Sequence, residues 1–150
     1  MSASERDDVL GQNIVRVMRT AWSEPTLVLD GMGDAYYCGL YLELGSGKYL
    51  ELFDFETKVL ANVNESLEPL ESHLVPKMRL GIITGLLQDD IGQHFLLLNR
   101  RYYLHCDSAG VRGAAVTLEY GPIHDLIHTR SPNRYYYVHW SMKPWLPSDL

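Results

Sequence analysis

The chain has 150 residues, 46% of them apolar, and a formal charge of −6. That is enough apolar sequence for one domain, residues 1–150, to bury a core without disulfides or a structural metal, and it excludes a disordered chain. The charge is uneven: residues 1–75 hold 13 Asp and Glu against 5 Lys and Arg, whereas residues 76–150 hold 6 against 8. A phosphate backbone needs clustered Lys and Arg, so direct nucleic-acid binding is not expected and the acidic half suits a basic protein partner instead.

The polar start, Met1 to Asp8, has neither the basic n-region nor the apolar h-region of a signal peptide, and no apolar run reaches the length of a membrane span. The expected location is cytoplasmic, with no membrane contact. Ser4 and Asp7 have the spacing of a capping box, and Leu10, Ile14, Val17, Met18, Ala21 and Trp22 recur at helical intervals. This predicts an N-terminal amphipathic helix of about four to five turns, ending ahead of Pro25 because a residue before proline avoids the helical region.

Thr26 to Asp30 reads as a short strand, and Gly31 to Asp34 as a turn. Next comes the clearest pattern in the chain, Leu40-Tyr-Leu-Glu-Leu44, Gly45-Ser46-Gly47, Lys48-Tyr-Leu-Glu-Leu52, a β-hairpin with period-two alternation. Opposed residues of an antiparallel pair share a face, so a three-residue loop that sets Leu42 against Leu50 gathers Leu40, Leu42, Leu44, Leu50 and Leu52 on one side. Tyr41, Glu43, Tyr49 and Glu51 then occupy the other side, half-solvated or facing a partner. Phe55 to Thr57 reads as a bend, Lys58 to Val63 as a returning strand, and Asn64 to Pro76 as a polar surface connection.

Further strands are expected over Arg79 to Gln88, Gln93 to Asn99, Arg101 to Cys106 and Ala114 to Tyr120, with a tight Asn99-Arg100 link between the second and third. Gly121-Pro122 opens a short helical turn from Ile123 to Thr129. Tyr135 to Trp140 is a β-prone final strand, and the proline-broken tail after Ser141 is irregular, with Trp145 able to pin it down. Cys38 and Cys106 sit in apolar strand sequence and read as free buried thiols. The sum is an α+β fold: one N-terminal amphipathic helix packed on a mostly antiparallel, strongly curved or half-closed sheet of roughly seven to nine strands.

For chemistry, His124 and His128 lie four apart and share a helix face, so with Asp125 between them they are the best metal-like spacing and would support a metal-dependent enzyme. The glutamate of the His-Glu-x-x-His zinc motif is absent, however, and no third ligand has a fixed spacing, so neither a metal nor another cofactor is expected. No nucleophile elbow or phosphate loop occurs. A small-ligand β-barrel, with the second-half strands lining an apolar pocket, is a further alternative. The hairpin from Gly39 to Asp54, with its Leu-Tyr-Leu-Glu-Leu, Gly-Ser-Gly and Lys-Tyr-Leu-Glu-Leu segments, resembles hairpins of small acidic bacterial proteins, including immunity proteins of contact-dependent and polymorphic toxin systems. The resemblance implies a protein that neutralises a cognate toxin by occlusion. On this chain Glu43, Glu51, Asp54 and Glu56 would steer a basic toxin surface, and Tyr41 and Tyr49 would anchor it.

Overall fold

Residues 13–20 decide the architecture. The computed structural model describes residues 8–20, 27–29, 33–36, 39–53, 56–70, 78–90, 93–109, 115–129, 134–137 and 143–146. In it, Ile14–Thr20 forms a strand, β1, where the sequence spacing predicted a helix. The cause is a β-bulge. Against the strand Leu40–Leu44 (β4), Ile14 pairs with Leu44 and Arg16 with Glu43, leaving Val15 as the extra residue, and Val17 then pairs with Leu42. The insertion turns Val15 and Arg16 both outward and puts Ile14 and Val17 on one buried face, three positions apart. A spacing of three is also the signature of a helix, so the bulge imitates helical periodicity, while β-branched Ile14, Val15 and Val17 favour the strand.

The α+β class therefore gives way to a mostly β fold: among the described residues two antiparallel sheets dominate, and Ile123–Thr129 is the helix that lies wholly within them. At the N-terminal end Asp8 and Val9 are helical, and Leu10 and Gly11 turn out of that conformation, Gly11 at a φ of 82°. The Ser4 and Asp7 capping pair, and Ala21 to Pro25, lie outside the described residues.

The first sheet has the order β6-β5-β4-β1-β7, where β5 is Tyr49–Phe53, β6 is Glu56–Leu60 and β7 is Leu67–Pro69. The second begins with β2 (Leu27–Leu29) and β3 (Gly33–Tyr36), and continues with β8 (Ile83–Asp89), β9 (His94–Leu98), β10 (Tyr102–Ala109) and β11 (Ala115–Pro122). The helix α1 (Ile123–Thr129) follows, then β12 (Tyr135–Tyr137) and β13 (Lys143–Trp145), so that Glu56, Thr57 and the tail after Ser141 contribute strands where a bend and an irregular tail were expected. The order of this second sheet is β13-β12-β8-β9-β10-β11-β3-β2.

The leucine hairpin has the register that its pattern requires: Leu42 opposes Leu50, Tyr41 opposes Glu51 and Glu43 opposes Tyr49. The Gly47 N–H donates to the Leu44 carbonyl at 2.9 Å, and Gly47 takes a φ of 88°, which glycine adopts without a Cβ clash. The inner side of this ribbon, Leu40, Leu42, Leu44, Leu50 and Leu52, merges with Ile83, Leu86, Leu96, Leu98, Leu104, Cys106 and Leu118 of the second sheet in one buried cluster. Each such leucine contributes about 1.5–3 kcal/mol by leaving water. Cys106 is buried in the same layer, its thiol donating to the Leu52 carbonyl across the sheets at 3.4 Å. Cys38 lies outside the described residues.

The opposite face of the second sheet has its own cluster: Leu87, Phe95, Leu97, Tyr103, Tyr135 and Trp145 under Ile123 and Leu126 of α1. Its central strand β9 is buried on both faces, which explains its unbroken Phe-Leu-Leu-Leu run. The sheets are laced at one corner. The Ile14 N–H donates to the Gly81 carbonyl, the Ile83 N–H to the Gln12 carbonyl and the Gly45 N–H to the Asn13 carbonyl, at 2.8–3.0 Å. Asn13 also bridges Ile82, so the chain leaves the edge of β8 and bends through the Val15 bulge into the first sheet. The tight link between β9 and β10 is as expected, with Asn99 and Arg100 both left-handed, at φ 54° and 60°.

Candidate protein-binding face

Strand alternation sets the outer face of the first sheet. With the leucines inward, Arg16 and Met18 of β1, Tyr41 and Glu43 of β4, and Tyr49 and Glu51 of β5 share the other side. Cross-strand register arranges them in rows: Arg16 beside Glu43 beside Tyr49, then Met18 beside Tyr41 beside Glu51. β6 continues the second row, with Lys58 at the position opposite Glu51, and Glu56 stands opposite Phe53. Asp54 lies outside the described residues.

The face is not uniformly open. Thr20, Met18 and Tyr41 are buried, Tyr41 at 9% exposure, whereas Glu43, Tyr49 and Glu51 are half-buried and the Arg16 side chain is 53% exposed. Tyr41 lies against Gly39: a Cβ there would stand 3.3 Å from Cε2 of the ring and 3.0 Å from Cγ2 of Thr20. Tyr41 is thus part of the floor and not a projecting anchor, and Tyr49 is the phenol available for contact. Burial, then the nearby Glu51 and Glu65 carboxylates, raise the Tyr41 pKa above the ordinary tyrosine range, so the hydroxyl keeps its proton.

Charge on this face is partly compensated. Arg16 Nε donates to Glu43 Oε2 at 2.8 Å, and this bond raises the arginine pKa further. Arg16 was missed because its stretch read as helix; reading Arg16, Met18 and Thr20 as strand alternation brings it opposite Glu43. Glu51 remains beside this pair, and the Glu65 carboxylate lies near enough to act on Tyr41. Opposite charges on neighbouring strands favour the sheet, so the Glu43 part of the expected steering charge also serves the fold.

No family model matches this chain, and no curated protein or solved structure is significantly similar to it.

The His124 and Asp125 pair sits on α1, Nε2 to Oδ1 at 3.7 Å, with both side chains about half exposed or more. The side chain of His128 is outside the described set. Among the described residues no group of three or more His, Cys, Asp and Glu could hold a metal ion. Beneath α1 lies a polar network that the sequence did not signal. Tyr103 donates to Glu119 at 2.7 Å, His105 is the register partner of Glu119, and His105 Nδ1 meets the His94 carbonyl at 2.7 Å. A carbonyl only accepts, so Nδ1 carries the proton. The imidazole stacks on Phe95 with ring centroids 4.3 Å apart, and Gly121 leaves room for both Tyr103 and Asp125. Alternation alone would have put His105 and Tyr103 on one face, but only the β10 and β11 register brings Glu119 to them.

Proposed function

We propose that this chain is a cytosolic protein-binding inhibitor, an immunity protein that neutralises a cognate bacterial toxin by covering its working surface. One observation carries the reading: Tyr49 stands directly opposite Glu43 and two residues from Glu51, on strands whose inner side is locked in a packed leucine layer. A tyrosine flanked by carboxylates on rigid strands is the kind of group that anchors protein interfaces, because two χ angles are ordered for a large contact area. Rigid strands lose little further entropy on binding, so the contact energy is not spent on ordering the site.

In this reading Glu43 and Glu51, with Asp54 and Glu56 from the sequence, attract a basic toxin surface, Tyr49 enters a pocket on it, and Tyr41 forms part of the floor in the neighbouring row. Charge sets the encounter rate and the buried phenol sets the lifetime of the complex. The reading is tested by searching the products of neighbouring genes for one that is toxic when expressed alone, and co-expressing it with this chain. Growth should be rescued by the parent chain and lost with Tyr49→Ala. Full rescue by Tyr49→Ala combined with Glu51→Lys would end the proposal.

A further inference from the structure

Three large apolar side chains are exposed among the described residues, and two of them, Val15 at 46% and Ile82 at 48%, flank the corner where the sheets are laced. Asn13 and Ile82 are bridged antiparallel, so their side chains share a face. Val15, two residues beyond Asn13 with buried Ile14 between them, points to the same outer side. The turn between β9 and β10 is fastened beside this pair. The Ile82 N–H donates to Asn99 Oδ1 at 3.0 Å, the Asn99 N–H to the Ile82 carbonyl at 2.9 Å, and the Arg100 N–H to Thr84 Oγ1 at 3.0 Å. Asn99, Arg100 and Arg101 are all exposed, and the two arginines make no ion pair among the described residues. Arg100 also sits at a φ of 60°, where a turn of this hand favours glycine, so a strained position holds a guanidinium in the open.

We propose that this corner is a docking site for an acidic segment of another protein, in which Arg100, with Arg101 beside it, takes a carboxylate while Val15 and Ile82 take a neighbouring apolar side chain. Charge complementarity names the occupant. The planar fork of arginine matches a carboxylate or a phosphate. The formal charge of −6 on the chain opposes a long polyanion such as a nucleic acid, which would carry its other phosphates against the acidic excess. A short carboxylate-bearing segment puts its charge at the corner alone. The apolar pair narrows the choice further, because its surface leaves water only against an apolar group, which a phosphate lacks and a peptide supplies. The site is separate from Tyr49 and stands whether or not a toxin is found.

The test is a titration of the full chain, methyl-labelled at valine and isoleucine, with a short blocked peptide of alternating glutamate and leucine, followed by NMR. The Val15 and Ile82 methyl signals should shift saturably in the millimolar range, and less at high salt. Arg100→Gly should weaken this binding by roughly ten-fold, the effect of one charge-assisted hydrogen-bonded contact. Glycine suits the left-handed turn, so this variant keeps the fold, confirmed by circular dichroism, and a loss of binding is not a loss of structure. Ile82→Thr, which keeps the branched shape, should weaken binding as well, read at the Val15 methyls. The proposal is overturned if the two signals do not shift, if the lysine and leucine counterpart of the peptide shifts them equally, or if Arg100→Gly binds as the parent does. Heparin binding at these methyls more tightly than the peptide would overturn it too, by assigning the corner to a polyanion.

Discussion

Leu42→Ala probes the packed side of the hairpin. Leu42 is fully buried, and its register partners on both sides, Leu50 and Val17, are buried in hydrogen-bonded strands. The substitution removes three carbons, about 2.4 kcal/mol of transfer free energy at about 0.8 kcal/mol each. Flanking strands held by their ladders cannot collapse far into the space, so a cavity contribution is added and the total should reach about 3–4 kcal/mol. For a chain of this size that lowers the melting temperature by roughly 10 °C, measured by circular dichroism and cross-checked by urea unfolding at constant m. The next residue supplies the control. Glu43 points the other way, to an exposed ion pair with Arg16, and Glu43→Gln should leave the melting temperature within about 2 °C. A Leu42→Ala variant as stable as the parent, or a Glu43→Gln variant that falls as far as Leu42→Ala, would refute the assignment of faces.

Two further outcomes follow from named groups. The Tyr41 pKa is raised in the fold, so the stability linked to it is fully present below the unfolded value of about 10 and is lost as pH rises through the folded value. Tyr41→Phe should remove that share of the alkaline loss and delete a late-titrating phenol from the absorbance at 295 nm; an unchanged titration would contradict the burial of this ring. Arg100 is left-handed with its N–H on Thr84 Oγ1, a bond that glycine keeps. Arg100→Gly should stabilise the chain by about 0.5–1 kcal/mol, the relief of left-handed strain less the extra entropy of an unfolded glycine, and chemical denaturation would show a loss instead if the turn were not strained.

The hairpin was legible because leucines at every second position allow one register and one buried face, and α1 because Gly121-Pro122 opens it. β1 was not legible, since a bulge at Val15 replaces period two with a spacing of three over the residues that matter. β13 was hidden by Pro144, which reads as a break but is tolerated on an edge strand. The face itself was half legible. Alternation gave Glu43, Tyr49 and Glu51 correctly as outward, but the depth of Tyr41 depends on Gly39 and Thr20, and the neutralising Arg16 depends on which strand lies beside β4. Neither is a local property of the chain.

The most direct test of the proposed role is the affinity of the chain for a basic toxin domain, sought among the products of neighbouring genes, by calorimetry at low and high salt. The account predicts that Tyr49→Ala lowers affinity at both salts by at least ten-fold, about 1.4 kcal/mol or more, whereas Glu51→Lys does so chiefly at low salt. Affinity that is unchanged by either substitution, at either salt, would contradict it.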